Sequence, residues 1–250
     1  MGTVWITFAT EDNVDGDVDY LAQEISRAGM RTRQHPLFVG EDDKIDRLMP
    51  AFLGRPEQSD AWILYASRKT LEGGRLERIT TALANSLEKR GKFPLIGVFR
   101  EVEAGVQARE LPLTDRLAAD DPEWRDKLGE ALGVDLTRSS DDGLPPYIAK
   151  LHPGSGQFKH VFEFRPKMGR WDSFLFAILP EERATVAPEI RPFESEEGFS
   201  EDAEWYFQIA RTPATPSTSY FVMMREMPSR VAFGQEGNDE VVILNMRPKQ

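Results

Sequence analysis

The chain of 250 residues has no cysteine and only three histidines. Without thiols there can be no disulfide framework, thiolate nucleophile, zinc finger or iron–sulfur cluster. His35, His152 and His160 are scattered, none in an i, i+4 pair or beside a motif serine, which leaves little for metal or triad chemistry. No apolar run approaches the roughly 18 residues of a membrane helix, and Met1 to Thr10 lacks the basic n-region of a signal peptide. These absences predict a soluble, cytoplasmic protein with no membrane partner. A basic surface is missing as well. The formal charge is −11, and residues 1–136 carry 18 basic and 25 acidic side chains against 13 and 17 in the remainder. A nucleic-acid partner is therefore not expected, because phosphate neutralisation needs a basic stripe.

Apolar periodicity organises the first half. Val4 to Ala9, Arg31 to Pro36, Ala61 to Ala66 and Phe93 to Phe99 read as strands, with a short last strand around Leu111 to Leu117. Helical spacing recurs over 17–28, 45–53 and 76–87, and in Trp124, Leu128, Ala131 and Leu132. Strand and helix alternate five times in about 135 residues, which predicts an open α/β domain with a parallel sheet, because parallel strands need crossover connections. The ligand edge of such a sheet lies at the carboxyl ends of its strands, here Thr10 to Asp12, His35 to Val39, Ser67 to Thr70 and Arg100 to Glu103.

The second half changes character across a polar stretch closed by Pro145 and Pro146. The expected division is an α/β domain over 1–138, a linker over 139–146 and an all-β sandwich over 147–250. Six β-rich runs are expected, over 147–152, 160–165, 173–179, 204–210, 219–225 and 240–245, separated by turn residues. The acidic, proline-containing segment from Glu181 to Asp202 reads as a long loop. Gly154-Ser155-Gly156 lacks the flanks of a nucleophile elbow or phosphate loop and reads as a hairpin turn. Trp171, Phe174, Phe176, Trp205, Tyr206, Phe207, Tyr220 and Phe221 are expected in the sandwich core, a few of them on a recognition face.

Several segments of the first half carry a resemblance: Val4-Trp5-Ile6-Thr7-Phe8-Ala9-Thr10-Glu11-Asp12, Asp17 to Ile25 with Ala28-Gly29, Ser59 to Ser67, and Trp124-Arg125-Asp126-Lys127-Leu128. In order and spacing this half resembles the Toll/interleukin-1 receptor (TIR) domain in its bacterial form. The resemblance implies a flavodoxin-like parallel sheet. Gly169 to Phe174 and Pro228 to Gly234 are similar to a β-rich partner found after such domains, which implies no activity. For the TIR-like half the resemblance implies one of two roles. Many bacterial members cleave the nicotinamide–ribose bond of NAD as antiviral defence effectors or signal makers. Others are catalytically silent adaptors that assemble through TIR–TIR contacts, and here the β-domain would bind a protein or small-molecule signal.

Cleavage develops positive charge on the ribose, so a carboxylate held against that sugar stabilises the transition state. The family places a glutamate for this in the first turns of the third helix, directly before an apolar residue. Glu77 is the candidate here, with Glu72 as substitute. Taking Ile79 and Ala82 as buried puts Arg78 at the family position, about 100° round the helix from Glu77. Glu77 also reads as a solvated helix residue. The resemblance further implies a substrate pocket for NAD formed by Phe8, Thr10, Glu11, Asp12, Leu37, Phe38 and Ser67, with no separate cofactor and no metal. Thr10 and Asp12 have an alternative as turn and cap residues. Trp62 and Tyr65 read as core. A homo-oligomer is expected, because family active sites are often completed by a neighbouring protomer.

Overall fold

The computed structural model describes residues 2–37, 59–71, 93–101, 111–136, 143–192, 194–200, 203–236 and 241–246. The chain forms two compact units, Met1–Pro146 with Lys167–Gly169, and Tyr147–Pro166 with Arg170–Gln250. The expected helices over 45–53 and 76–87 lie outside the described residues.

Unit 1 is a five-stranded parallel sheet of β1 (Thr3–Ala9), β2 (Arg31–Leu37), β3 (Ala61–Ala66), β4 (Leu95–Phe99) and β5 (Asp115–Ala118) in the order β2-β1-β3-β4-β5. That is the flavodoxin-like strand order, and its direction reverses between β1 and β3. Alternation along the strands feeds two cores. Val4, Ile6, Phe8, Ile63, Tyr65, Ile96 and Val98 pack on one face, where α1 (Asp17–Arg27) supplies Val18, Leu21, Ala22 and Ile25, and the closing helix α3 (Trp124–Leu132) supplies Trp124 and Leu128. Trp62, Leu64, Ala66, Leu95 and Phe99 pack on the other with Phe93, Leu111 and Leu113. Leu111 and Leu113 therefore belong to the approach to β5 rather than to the strand. Every residue of β3 is buried, as expected for a central parallel strand.

Local chemistry sets the limits of α1. Gly16 at its N-cap has no side chain to offer, and the Asn13 Oδ1 accepts instead from the Val18 and Asp19 amides at 2.9 and 3.2 Å. Gly29, at φ +89°, ends the helix in a left-handed conformation that L side chains rarely adopt. An ionic cluster ties α1 to α3. The buried Glu24 carboxylate accepts from Arg27 Nη1 at 2.7 Å and from Arg125 Nη2 and Nε at 2.8 and 3.2 Å, and Arg125 Nη2 also donates to the Tyr20 hydroxyl. The Arg125 guanidinium lies 4.5 Å from the centre of the Trp124 ring, which completes its coordination.

Unit 2 is an antiparallel sandwich. One sheet has the order β10-β11-β8-β13-β14 and the other β6-β7-β12-β9. The strands are β6 (Tyr147–Pro153), β7 (His160–Pro166), β8 (Phe174–Ile178), β9 (Glu189–Arg191), β10 (Glu196–Phe199), β11 (Tyr206–Ala210), β12 (Tyr220–Met224), β13 (Arg230–Gly234) and β14 (Val242–Asn245). Both sheets contribute to one aromatic core. The Phe164 ring has Phe233, Phe174 and Phe162 within 4.6, 5.1 and 5.5 Å, and Phe174 stacks on Tyr220 at 4.6 Å. Trp205, Phe207 and Phe221 are exceptions to the expected core: Phe207 and Phe221 alternate with the buried Tyr206 and Tyr220, and Phe221 is 36% exposed. Gly154 to Lys159 form the β6–β7 turn, closed by the Gly154 amide on the Lys159 carbonyl at 2.9 Å. The segment from Glu181 to Asp202 differs from the expected loop, because it contains the one-turn helix α4 (Arg183–Val186) and the edge strands β9 and β10. Among the described residues, no helix is long and apolar enough to cross a membrane.

Removing the Glu24 carboxylate strands two guanidinium groups, one of them a third exposed. Glu24→Ala is expected to destabilise unit 1 by about 2–3 kcal/mol, below the cost of breaking a fully buried pair, read as a lowered urea midpoint. Burial, with the Glu24 charge in support, pushes the Tyr20 phenol up to about 12. The fold thus favours the neutral phenol. The stability it contributes is complete below pH 10, near the unfolded value, and is lost as pH rises from there toward 12. Tyr20→Phe should flatten that part of the urea-midpoint profile against pH.

Candidate functional site

The carboxyl ends of the parallel strands bring together part of the expected pocket. β1 runs into a 3-10 turn, Thr10–Asn13, and β3 into Ser67 and the short helix α2 (Arg68–Leu71). These two ends flank the point where strand order reverses, which is where a crevice opens in such sheets. The Asp12 carboxylate is buried at 3% exposure and crosses this point. Its Oδ2 accepts from the Ser67 amide at 3.2 Å and from the Thr70 hydroxyl, while the Ser67 and Thr70 hydroxyls lie 3.2 Å apart. From the β4 end, Glu101 Oε2 accepts from the Arg68 amide at 2.7 Å. Two carboxylates from different strands thus cap the first turn of α2.

The expected pocket residues divide by environment. Phe8 is buried in the core on the α1 side, Thr10 is half-buried and Glu11 is exposed. The Thr10 hydroxyl donates to the Glu11 carboxylate at 3.3 Å. Asp12 and Ser67 are joined as described. Leu37 is the last residue of β2, whereas Phe38, Glu72, Glu77 and Arg78 lie outside the described residues. Trp62 and Tyr65 are fully buried, and the Trp62 indole N–H donates to the Thr7 hydroxyl at 2.8 Å within the sheet.

Thr70 and Glu101 fall within the expected strand-end segments Ser67 to Thr70 and Arg100 to Glu103 but are not among the expected pocket residues. Each is a single polar residue in a connection, with no periodicity to mark it, and only the parallel register carries it to Asp12 and α2. No family model and no curated protein matches the chain.

A second concave feature lies wholly within unit 2. An open groove of about 690 Å³ runs between the edge strands β9 and β10, with α4 at one side. Arg183, Glu197, Phe199, Tyr206 and Gln208 line it. Burial, reinforced by its hydrogen bond to Glu197, raises the Tyr206 phenol above its ordinary value. Sequence reading missed this groove because it treated the segment that builds it as a loop. Among the described residues, no group of three or more His, Asp or Glu is placed to hold a metal ion.

The Asp12 contacts give a direct test. Asp12→Ala should cost about 1–2 kcal/mol, as loss of a cap with a buried amide left unpaired does. It should also speed hydrogen exchange at the Ser67 amide while leaving the Trp62 indole protected.

Proposed function

We propose that the chain is a TIR-like effector that cleaves NAD at the nicotinamide–ribose bond in bacterial defence or signalling, acting as a self-assembled protein in the cytoplasm. The observation that supports this reading is the bond of the Ser67 amide to Asp12 across the β1/β3 reversal, beside Thr10 and Glu11, because ligands of sheets with this strand order bind at that point. In the reaction the pair of electrons of the C–N bond passes to the pyridinium ring, so nicotinamide leaves neutral and positive charge develops on the ribose. A carboxylate facing that sugar lowers the barrier. Glu77 has this role in the proposal, with Glu72 as substitute. Asp12 acts as a positioning residue that fixes the β3–α2 turn. Glu11 and Glu101 add negative charge at this edge, where Arg68 and Arg100 also lie, and a carboxylate facing the sugar favours a cationic transition state.

A second reading is a catalytically silent TIR-like adaptor whose β-domain binds a protein or small-molecule signal. The open groove of unit 2 favours it, as does Arg78 at the family's glutamate register, because a guanidinium there would oppose a developing cation.

Nicotinamide release from NAD by the full chain, at concentrations that permit assembly, separates the two. The effector predicts release that Glu77→Ala reduces about 10²-fold or more and Glu72→Ala spares. Release unchanged by Glu77→Ala removes that residue from the mechanism, and absence of release in every assembly state selects the adaptor.

A further inference from the structure

The unit 2 groove already holds a cation belonging to the chain itself. The Arg183 guanidinium lies 4.6 Å from the centre of the Tyr206 ring and 5.8 Å from that of Phe199. Its Nη2 donates to Glu197 Oε1 at 2.6 Å, and the Tyr206 hydroxyl donates to the other oxygen of the same carboxylate. Two aromatic faces and a carboxylate are the components by which planar cations are recognised.

Behind this cluster Gln208 is buried at 7% exposure. Its amide nitrogen donates to the Pro188 carbonyl at 2.8 Å, which fixes the orientation of the amide because a carbonyl can only accept. The amide oxygen is left buried without a hydrogen-bond donor among the described residues. The Glu197 carboxylate and the Gln208 oxygen are both acceptors. A ligand rich in N–H donors complements them, and an anion does not. Glu181 and Glu189 also line the groove, as does Arg225, and Glu189 is paired with Arg191.

We propose that this groove is a recognition site for a guanidinium group, either on an arginine side chain of a partner or on a small arginine-derived amine, and that Arg183 occupies it in cis. Arg183 and Glu197 are 46% and 52% exposed, so their pair is a weak one that a ligand can displace. The tethered side chain lowers the apparent affinity by the fraction of time it fills the site. The site belongs to unit 2 alone and stands whether or not unit 1 cleaves NAD.

The test is titration of the full chain with agmatine and, separately, with the amidated peptide Gly-Arg-Gly, followed by calorimetry. Phenyl phosphate serves as the anionic control. Arg183→Ala is expected to tighten guanidinium binding about fivefold. Adding Glu197→Gln to that variant should weaken it about tenfold, with thermal unfolding of both variants close to that of the parent. Preference for the peptide over agmatine identifies a protein source for the guanidinium, and the reverse identifies a small molecule. The proposal is overturned if Arg183→Ala binds neither guanidinium probe, binds them no tighter than the parent, or is insensitive to Glu197→Gln. It is equally overturned if phenyl phosphate binds the parent and Arg183→Ala abolishes that binding, since Arg183 would then be the receptor and not the occupant.

Discussion

Burial of β3 on both faces is the constraint on which the rest of unit 1 depends. A strand with no solvent-facing side needs cover above and below, and its neighbours must present apolar side chains in register on each face. Ile63 pairs with Ile6 on one side and Ile96 on the other, so a single row of branched side chains crosses the middle of the sheet. Trp62 is the largest fully buried side chain on the opposite face, and its one polar group is satisfied by Thr7 on the adjacent strand. With β1 and β4 fixed in this way, β2 lies outside β1. The ends of β1 and β3 therefore sit beside each other where the connections depart in opposite directions. Their juxtaposition is a consequence of the packing.

What these strand ends offer is set by the carboxylates around α2. The first N–H groups of a helix attract phosphate in many nucleotide-binding sheets. In this chain the Ser67 and Arg68 amides are already bonded to Asp12 and Glu101. A pyrophosphate would have to displace a carboxylate to use them. The first turn of α2 is thus occupied by the chain's own carboxylates.

Much of this architecture was legible in the sequence, and the reasons for the exceptions are physical. Val4 to Ala9, Ala61 to Ala66 and Phe93 to Phe99 announce themselves because buried parallel strands are nearly continuous apolar runs. The helix of Asp17–Arg27 follows from its spacing and from Gly29. β9 and β10 were invisible because they are three and four residues long and mostly polar, with Glu189, Glu196 and Glu197 reading as an acidic loop. Losing those strands also hid the groove they border. The contact of Arg125 with Glu24 spans 101 positions, and no local pattern encodes it. Asp12 reads in sequence as ligand contact or cap, and its bonds to Ser67 and Thr70 tie it to the start of α2. Glu101 appeared only as part of a strand end.

The acid excess takes on a different meaning once individual carboxylates are located. A charge of −11 distributed over both halves locates no site. Yet Glu24 is held between two arginines inside unit 1, Asp12 is buried across a strand junction, and Glu197 orients both a tyrosine and an arginine at the mouth of a groove. None of the three is merely solvated. In a chain without thiols and with few imidazoles, carboxylates carry the tasks that those groups perform elsewhere: they set helix ends, fix side-chain orientation and supply the field at a concave surface. Asp12 and Glu24 do so by accepting hydrogen bonds from groups 55 and 101 positions away, and Glu197 from an arginine on another element, so their number can be read from composition but their work only from the fold.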